Sequence, residues 1–265
     1  MSESLTRQPG GTFTPRPGAA PFLRQVVAQA SMEARLMVRN GEQLLLAVVI
    51  PVLVLVGGVA GADRIGIDFD ERAVDALTPG VLALAVMSTA FTSLAIATGF
   101  ERRYGVIKRL GASPLPRSGL LAGKIGGLLV VELMQVVVIT GTALALGWEP
   151  RTSVAALSGG LVALVLGTFA FASLGLFLAG VLRAEATLAA ANLVYLLLLA
   201  GGAVALPADA YGSAGQALTW LPSGALGEAM RSAFIDGAVA AGNLVVLAVW
   251  GVLGAVLTAR TFTWE

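Results

Sequence analysis

Six apolar runs, each close to the length of a bilayer-crossing helix, fill most of this chain and leave it few folds to choose from. A helix needs about 20 mostly apolar residues to cross the hydrocarbon core. The runs are Leu44–Ala62, Pro79–Gly99, Ile125–Leu146, a stretch within Thr152–Leu182, Ala186–Leu206 and Ala238–Ala259. The third holds one charge, Glu132, and the fourth is long enough to tilt or to extend beyond the core. Buried helices of water-soluble proteins keep a polar stripe at the helical period, whereas these runs are apolar all round. The expected fold class is therefore all-α, a polytopic membrane protein with six transmembrane helices. Charged residues make up 12% of the chain, about half the usual share of a soluble domain.

The remaining composition removes several functions. Net charge is +1, so no nucleic-acid partner is implied. Cysteine and histidine are both absent, which excludes disulfides, thiol nucleophiles, Cys/His zinc sites and histidine acid–base catalysis. Residues 1–20 are rich in proline and glycine, with little to bury, and read as a disordered cytoplasmic tail. Residues 21–265 read as one six-span domain. Its first apolar run begins at Leu44, too late for a cleaved signal peptide.

Orientation follows from the basic residues, which collect in cytoplasmic loops. Six of the seventeen Lys/Arg residues lie in residues 100–124, between the second and third runs. Six spans put both termini on the side of that loop, where 13 Lys/Arg residues fall against 4 on the other. Both ends and the 100–124 loop are thus expected in the cytoplasm, and the protein in the cell membrane. Trp148 and Trp220 are expected near the outer ends of spans, and Tyr104 and Trp264 near the inner face, at headgroup depth.

Three segments are not spans. In residues 21–40, Phe22, Val26, Ala30, Ala34 and Met37 recur at helical spacing while Arg24, Gln25, Glu33 and Arg35 fall elsewhere. That pattern predicts an amphipathic interfacial helix, a plain anchor or an elbow that also touches a cytoplasmic partner. In the 100–124 loop, Phe100, Tyr104 and Ile107 share a face, and Gly111 and Pro114 follow as stop signals. A short cytoplasmic helix of about three turns is expected there, a rigid charged element suited to contact with another protein. Residues 207–237 are too polar to span. Leu226, Met230 and Phe234 line one face, with Glu228 and Arg231 paired at i, i+3, so one or two short helices are expected at the outer surface or dipping partway in.

Few groups inside the spans can do chemistry. Glu132 lies about 12 Å along a helix from Lys124, near mid-membrane. A charge there costs about 2.5–3.5 kcal/mol on insertion scales, so it faces a cavity or a partner, or is a neutral acid acting as structural glue. Gln135 stands at i+3, within reach of a shared hydrogen bond, and Thr142 extends the same stripe. Thr89 and Thr92, with Ser88 and Ser93, sit in the second run, and Asn192 and Tyr195 in the fifth. These are candidates for a substrate path or a subunit seam, or for ordinary interhelical hydrogen bonds. Gly57/Gly61 and Gly123/Gly127 have the small-xxx-small spacing that lets helices approach closely. "GLLAGKI" at 119–125 is no phosphate loop: it has three residues between its glycines and Ile125 in place of the Mg²⁺-binding hydroxyl.

These features together resemble the membrane subunit of ABC-2 type exporters. The closest local likeness is "ERRYGVIKRLGASPLPRSGLLAGK", with Glu101, Gly105, Arg109-Leu110, Ser113-Pro114-Leu115, Arg117 and Lys124 in the family's order, and Val106 where a threonine is usual. "LPSGALGEAMR" is similar to the proline-containing stretch before the family's last span. The resemblance implies that residues 101–117 form a coupling helix docked on a cytoplasmic nucleotide-binding ATPase subunit, with Glu101, Arg102, Arg103, Gly105, Lys108, Arg109, Pro114 and Arg117 at the contact. It implies no catalytic residue, metal or cofactor on this chain. ATP and Mg would sit on the partner, and a second permease subunit, identical or related, would complete the pathway. The implied function is outward movement of a hydrophobic or amphipathic substrate such as a drug, lipid or glycolipid.

Two other classes stay open. An ion-coupled secondary transporter could use Glu132, although the halves show no clear repeat. A membrane-embedded enzyme would need clustered carboxylates, for which Asp63, Asp68, Asp70, Glu71 and Asp75 are the candidates, interleaved with Arg64 and Arg72 as in a solvated loop. The orientation is directly testable because the chain has no cysteine. Lys108→Cys is expected to react with a membrane-impermeant maleimide only after permeabilisation, and Glu71→Cys in intact cells. The reverse pattern contradicts the assignment.

Overall fold

The computed structural model describes residues 20–65, 71–111 and 115–261, without the side chains of 42–46, 63–65, 111 and 117. The expected tail, Pro114, Trp264, Asp68 and Asp70 lie outside the described residues, as do the side chains of Arg117 and Asp63. The described chain is helical, in the order α1 (Phe22–Arg39), α2 (Gly41–Ile65), α3 (Ala73–Met87), a π-helical turn (Ser88–Ser93), α4 (Leu94–Arg103), α5 (Val106–Gly111), α6 (Arg117–Ala145), α7 (Val154–Val181) and α8 (Ala184–Gly201). A 3₁₀ turn (Ala208–Ala214), α9 (Gly215–Leu218), α10 (Pro222–Arg231), a second π turn (Ser232–Asp236) and α11 (Ala241–Thr261) complete it.

Among the described residues, five helices are long and apolar enough to cross a membrane, against the six expected. They are the rod Ala73–Arg103, Ser118–Ala145, Val154–Val181, Ala184–Gly201 and Ala241–Thr261. The first run folds as a helix, α2, but its apolar part is the shorter Ala47–Ala62, bracketed by Glu42 and Gln43 before and Asp63 and Arg64 after. The rod is the centre of the assembly: 72% of its most apolar stretch is buried, against 17% for α8 and α11, which face outward. Its residues Leu84, Met87 and Phe91 meet Phe171 of α7 and Leu226 and Met230 of α10 in the main core. Phe91 and Phe171 pack edge to face with centroids 6.5 Å apart. The most extensive pairings are α7 with α11 and α1 with α6.

The fifth span stops earlier than expected. α8 ends at Gly201, and Ala203 takes φ 51, a left-handed conformation that reverses the chain. Apolarity alone carried the expectation on to Leu206, because hydropathy does not register a turn. The turn is buried, so its carbonyls need donors. Ser223 Oγ donates to the Gly202 carbonyl (2.8 Å) and Arg231 Nη2 to that of Val204 (3.0 Å). Those donors belong to α10, which is buried within the protein along nearly its whole length. Glu228 and Arg231 form the expected pair at 3.0 Å.

Two further expectations need correction. Trp148 is 5% exposed and stacks edge-on against Phe234, centroids 5.7 Å apart, so it is a core residue and not a headgroup anchor. Gly147 at φ 90 turns the chain back so that the Trp148 amide donates to Ala143. Trp220 and Tyr104 are exposed on the protein surface. The helix of about three turns beneath the second span is also broken: α4 continues the span to Arg103, and Gly105, at φ 70, separates it from the short α5. Only a residue without Cβ takes that conformation cheaply.

α1 forms where the 21–40 periodicity placed it, but its polarity is partly inverted. Gln29 and Glu33 are its buried residues, pressed on α6 beside Ala30 and Ala34, while Leu23, Val27 and Leu36 are exposed. Of the two glycine pairs, Gly123/Gly127 makes the close approach: a Cβ at Gly127 would lie 3.1 Å from the Ala34 backbone nitrogen, and one at Gly123 would strike Gln29. Gly57 meets nothing within 4 Å. Gly127→Leu is therefore expected to lift α1 from α6 and to speed proteolysis within residues 20–40 severalfold in detergent micelles, while Gly57→Leu leaves the digestion rate unchanged. Equal rates for both variants contradict this packing.

Candidate functional site: a lateral cleft above an ion-paired clamp

The rod's π turn, "STAFTS", sets the local geometry. One extra residue in a turn shifts which side chains face which way, and such turns recur at functional sites. Here Thr89, Ala90 and Phe91 enter the core while Ser88, Thr92 and Ser93 face a half-open cleft. The Phe91 carbonyl leans on α7 where only Gly175 leaves room, since a Cβ there would lie 2.8 Å away.

The cleft has a volume of about 630 Å³. Its walls are the rod, Ala47 and Ile50 of α2, and Leu188, Asn192 and Tyr195 of α8. Asn40, Phe100, Glu101, Tyr104 and Val106 complete its lining. Tyr195 and Ser88 face each other in its lining. The Thr92 hydroxyl is buried in the wall with no hydrogen-bond partner among the described residues.

Of the sequence-derived path candidates, Thr92, Asn192 and Tyr195 thus meet in one place. The others do not. Thr89 donates to Gln135 Oε1 (2.8 Å), and Gln135 Nε2 donates to the Ala47 carbonyl (2.7 Å), a relay that pins α6 between the rod and α2. Glu132 is 1% exposed between α6 and α7 and does not share a bond with Gln135. Its Oε2 lies 2.7 Å from Thr168 Oγ1, which also lies 2.8 Å from the Leu164 carbonyl. One hydroxyl proton cannot serve both acceptors. The chain of bonds closes if Glu132 is a neutral acid donating to Thr168, which donates on to Leu164. Glu132 Oε1 has no partner among the described residues. Thr142 bonds its own helix at Val138.

Beneath the cleft lies a group of charges that sequence reading had scattered. Lys124 Nζ, 3% exposed, is held between Glu101 of α4, in hydrogen-bonded contact, and Glu33 of α1 at 3.3 Å. Gln29 Nε2 donates to the same Glu33 oxygen (2.8 Å). In the sequence Lys124 stands out only as a topology charge and as the closing lysine of the family-like motif, and Glu33 only as a residue off the apolar face of 21–40. The available signal was Glu33 four residues after Gln29, both on the stripe that faces glycines 123 and 127.

The basic segment divides. Arg102 turns inward, donating to the carbonyls of Ala179 (2.7 Å), Gly180 (2.6 Å) and Leu182 (3.4 Å), and so caps the end of α7. Arg103 pairs with Glu185 and lies 5.8 Å from the Tyr104 ring centroid. Lys108 and Arg109 of α5 are exposed, with no ion pair among the described residues, and Gly105 forms the joint before them. At the opposite end, Arg72 bridges Asp75 (2.6 Å) and Glu149 (3.3 Å), and its bond to Asp75 raises the pKa of this exposed guanidinium. No group of three or more potential metal ligands occurs among the described residues.

Comparison with known proteins agrees with this architecture. The family model described as ABC-2 family transporter protein matches residues 68–260, from before the rod to the end of α11. No curated protein matches the chain.

Removing one partner of a buried ion pair leaves an uncompensated charge and costs about 3–5 kcal/mol, whereas replacing the whole set by apolar or neutral groups is often neutral. Lys124→Met is accordingly expected to lower the melting temperature of the purified protein sharply. The combination Glu33→Gln, Lys124→Met, Glu101→Gln restores most of the loss. A triple variant less stable than the single one contradicts a coupled, buried clamp.

Proposed function

The chain belongs to the ABC-2 family of transporter proteins, a family of membrane transport subunits rather than of enzymes, and on that premise we propose that it is the permease of an ATP-driven exporter. On this reading it crosses the membrane six times, with α2 as the first span and α1 on the cytoplasmic face. A nucleotide-binding subunit on another chain hydrolyses ATP with Mg. Hydrophobic or amphipathic cargo moves outward along the cleft.

The observation that carries the proposal is the placement of the cleft directly on the basic segment. Glu101 belongs to both: it lines the cleft and is bound through Lys124 to α1 and α6. α5, with Lys108 and Arg109 exposed, hangs from the same rod through Gly105. A push on α5 therefore reaches the cleft across the short Tyr104–Gly105 joint and along the rod. The half-open shape of the cleft supports a second permease subunit that completes the path. The ion-coupled alternative is less well supported, because Glu132 lies apart from the cleft, with Thr168 bonded to its Oε2.

The test is purification from native membranes in a mild detergent. A nucleotide-binding subunit is expected to co-purify at fixed stoichiometry and to hydrolyse ATP. Lys108→Glu combined with Arg109→Glu is expected to release it while leaving the permease's melting temperature unchanged. If no ATP-hydrolysing protein accompanies the chain, or the double variant retains it undiminished, the proposal fails.

A further inference from the structure

The charges around the cleft do not balance. Glu33 and Glu101 against Lys124 leave the clamp one negative charge in excess, and all three groups are largely removed from water. Buried charges are ordinarily paired. Arg102 is spent on the α7 carbonyls and Arg103 on Glu185, while Lys108 and Arg109 are exposed on α5 and line no part of the cleft. No Lys or Arg lines the cleft among the described residues.

What does line it is a carboxylate at one end, an aromatic ring (Phe100) beside it, hydroxyl and amide groups along one wall, and aliphatic side chains on the others. The Thr92 hydroxyl has no hydrogen-bond partner among the described residues. An anion placed there meets like charge in a poorly screened site. A neutral amphiphile leaves the excess charge as it was. A cation cancels it, and aromatic faces favour cations further.

We infer that the cleft's cargo is an amphipathic monocation, its charge set against Glu101 and its apolar body along Ile50, Ile96 and Leu188. This rests on the reading of the cleft as the transport path and adds the sign of the cargo's charge to it. The clamp then has a second consequence. Cargo and Lys124 share one carboxylate, so loading the cleft alters the contact that holds α1 and α6 to the rod.

The experiment uses two probes of the same shape and opposite charge, tetraphenylphosphonium and tetraphenylborate, with neutral triphenylphosphine oxide as the third. Each is titrated against the full chain in lipid nanodiscs, with protein-free nanodiscs as the baseline. Tetraphenylphosphonium is expected to bind saturably and tetraphenylborate no more than to lipid alone. Glu101→Gln weakens the cation by about tenfold or more, as expected for losing one partner of a desolvated charge pair. Because that variant also disturbs the clamp, Ser93→Lys supplies an independent check: it adds positive charge to the wall, leaves the clamp intact, and abolishes cation binding. Leu188→Trp fills the cleft and abolishes binding of every probe. Equal or tighter binding of tetraphenylborate, or cation binding unaffected by both Glu101→Gln and Ser93→Lys, overturns the inference. If only the neutral probe binds and Leu188→Trp blocks it, the cation is wrong and the transport path stands. If no probe responds to Leu188→Trp, the path itself is misplaced.

Discussion

One ammonium group, Lys124 Nζ between Glu33 and Glu101, fastens three helices that hydrocarbon gives no reason to associate. In lipid the tails are as apolar as leucine, so helices are held by close backbone approach and by polar contacts. Both occur at one place here. Gly123 and Gly127 let α1 lie against α6, and Lys124 between them reaches across to α4. The same logic explains α1. It presents Gln29 and Glu33 to the charged seam and Leu23, Val27 and Leu36 outward, the arrangement that an apolar surrounding would favour.

The rod Ala73–Arg103 then becomes the element through which everything passes. It fills the core, carries the π turn that opens the cleft, holds the end of α7 through Arg102, and ends at the joint before α5. Such an element moves as a unit more readily than it bends. Under the proposed function, a displacement imposed on α5 by a partner changes the cleft and the clamp together, since Glu101 is common to both.

The parts of the fold that were legible in the sequence are those set by solvent. Runs of apolar residues placed five helices long enough to span, the 21–40 periodicity placed α1, and the Leu226, Met230 and Phe234 face marked a short helix between the last two spans. Where chain direction changed inside an apolar environment, hydropathy was blind. Ala203 reverses the chain within a run that reads as continuous, and Gly147 folds Trp148 inward. The polar partners were the least legible of all. Gln135 was matched with Glu132 because they are neighbours in sequence, yet the structure joins it to Thr89 and Ala47, 46 and 88 residues away. Lys124 looked like a topology charge because nothing local distinguishes a lysine that snorkels from one that is trapped. Three residues of the cleft, Thr92, Asn192 and Tyr195, stood among the candidates read from the sequence, since hydroxyl and amide groups in spans must go somewhere. Its walls from α2 required the fold.

The account stands or falls on what drives movement through the cleft. Inside-out membrane vesicles from cells making the chain with its neighbouring proteins, loaded with a fluorescent amphipathic cation, measure this directly. Accumulation that requires ATP, survives collapse of the proton gradient and disappears in Leu188→Trp is the expected result. Accumulation that persists without ATP and collapses with the proton gradient contradicts the account, and would move attention to Glu132.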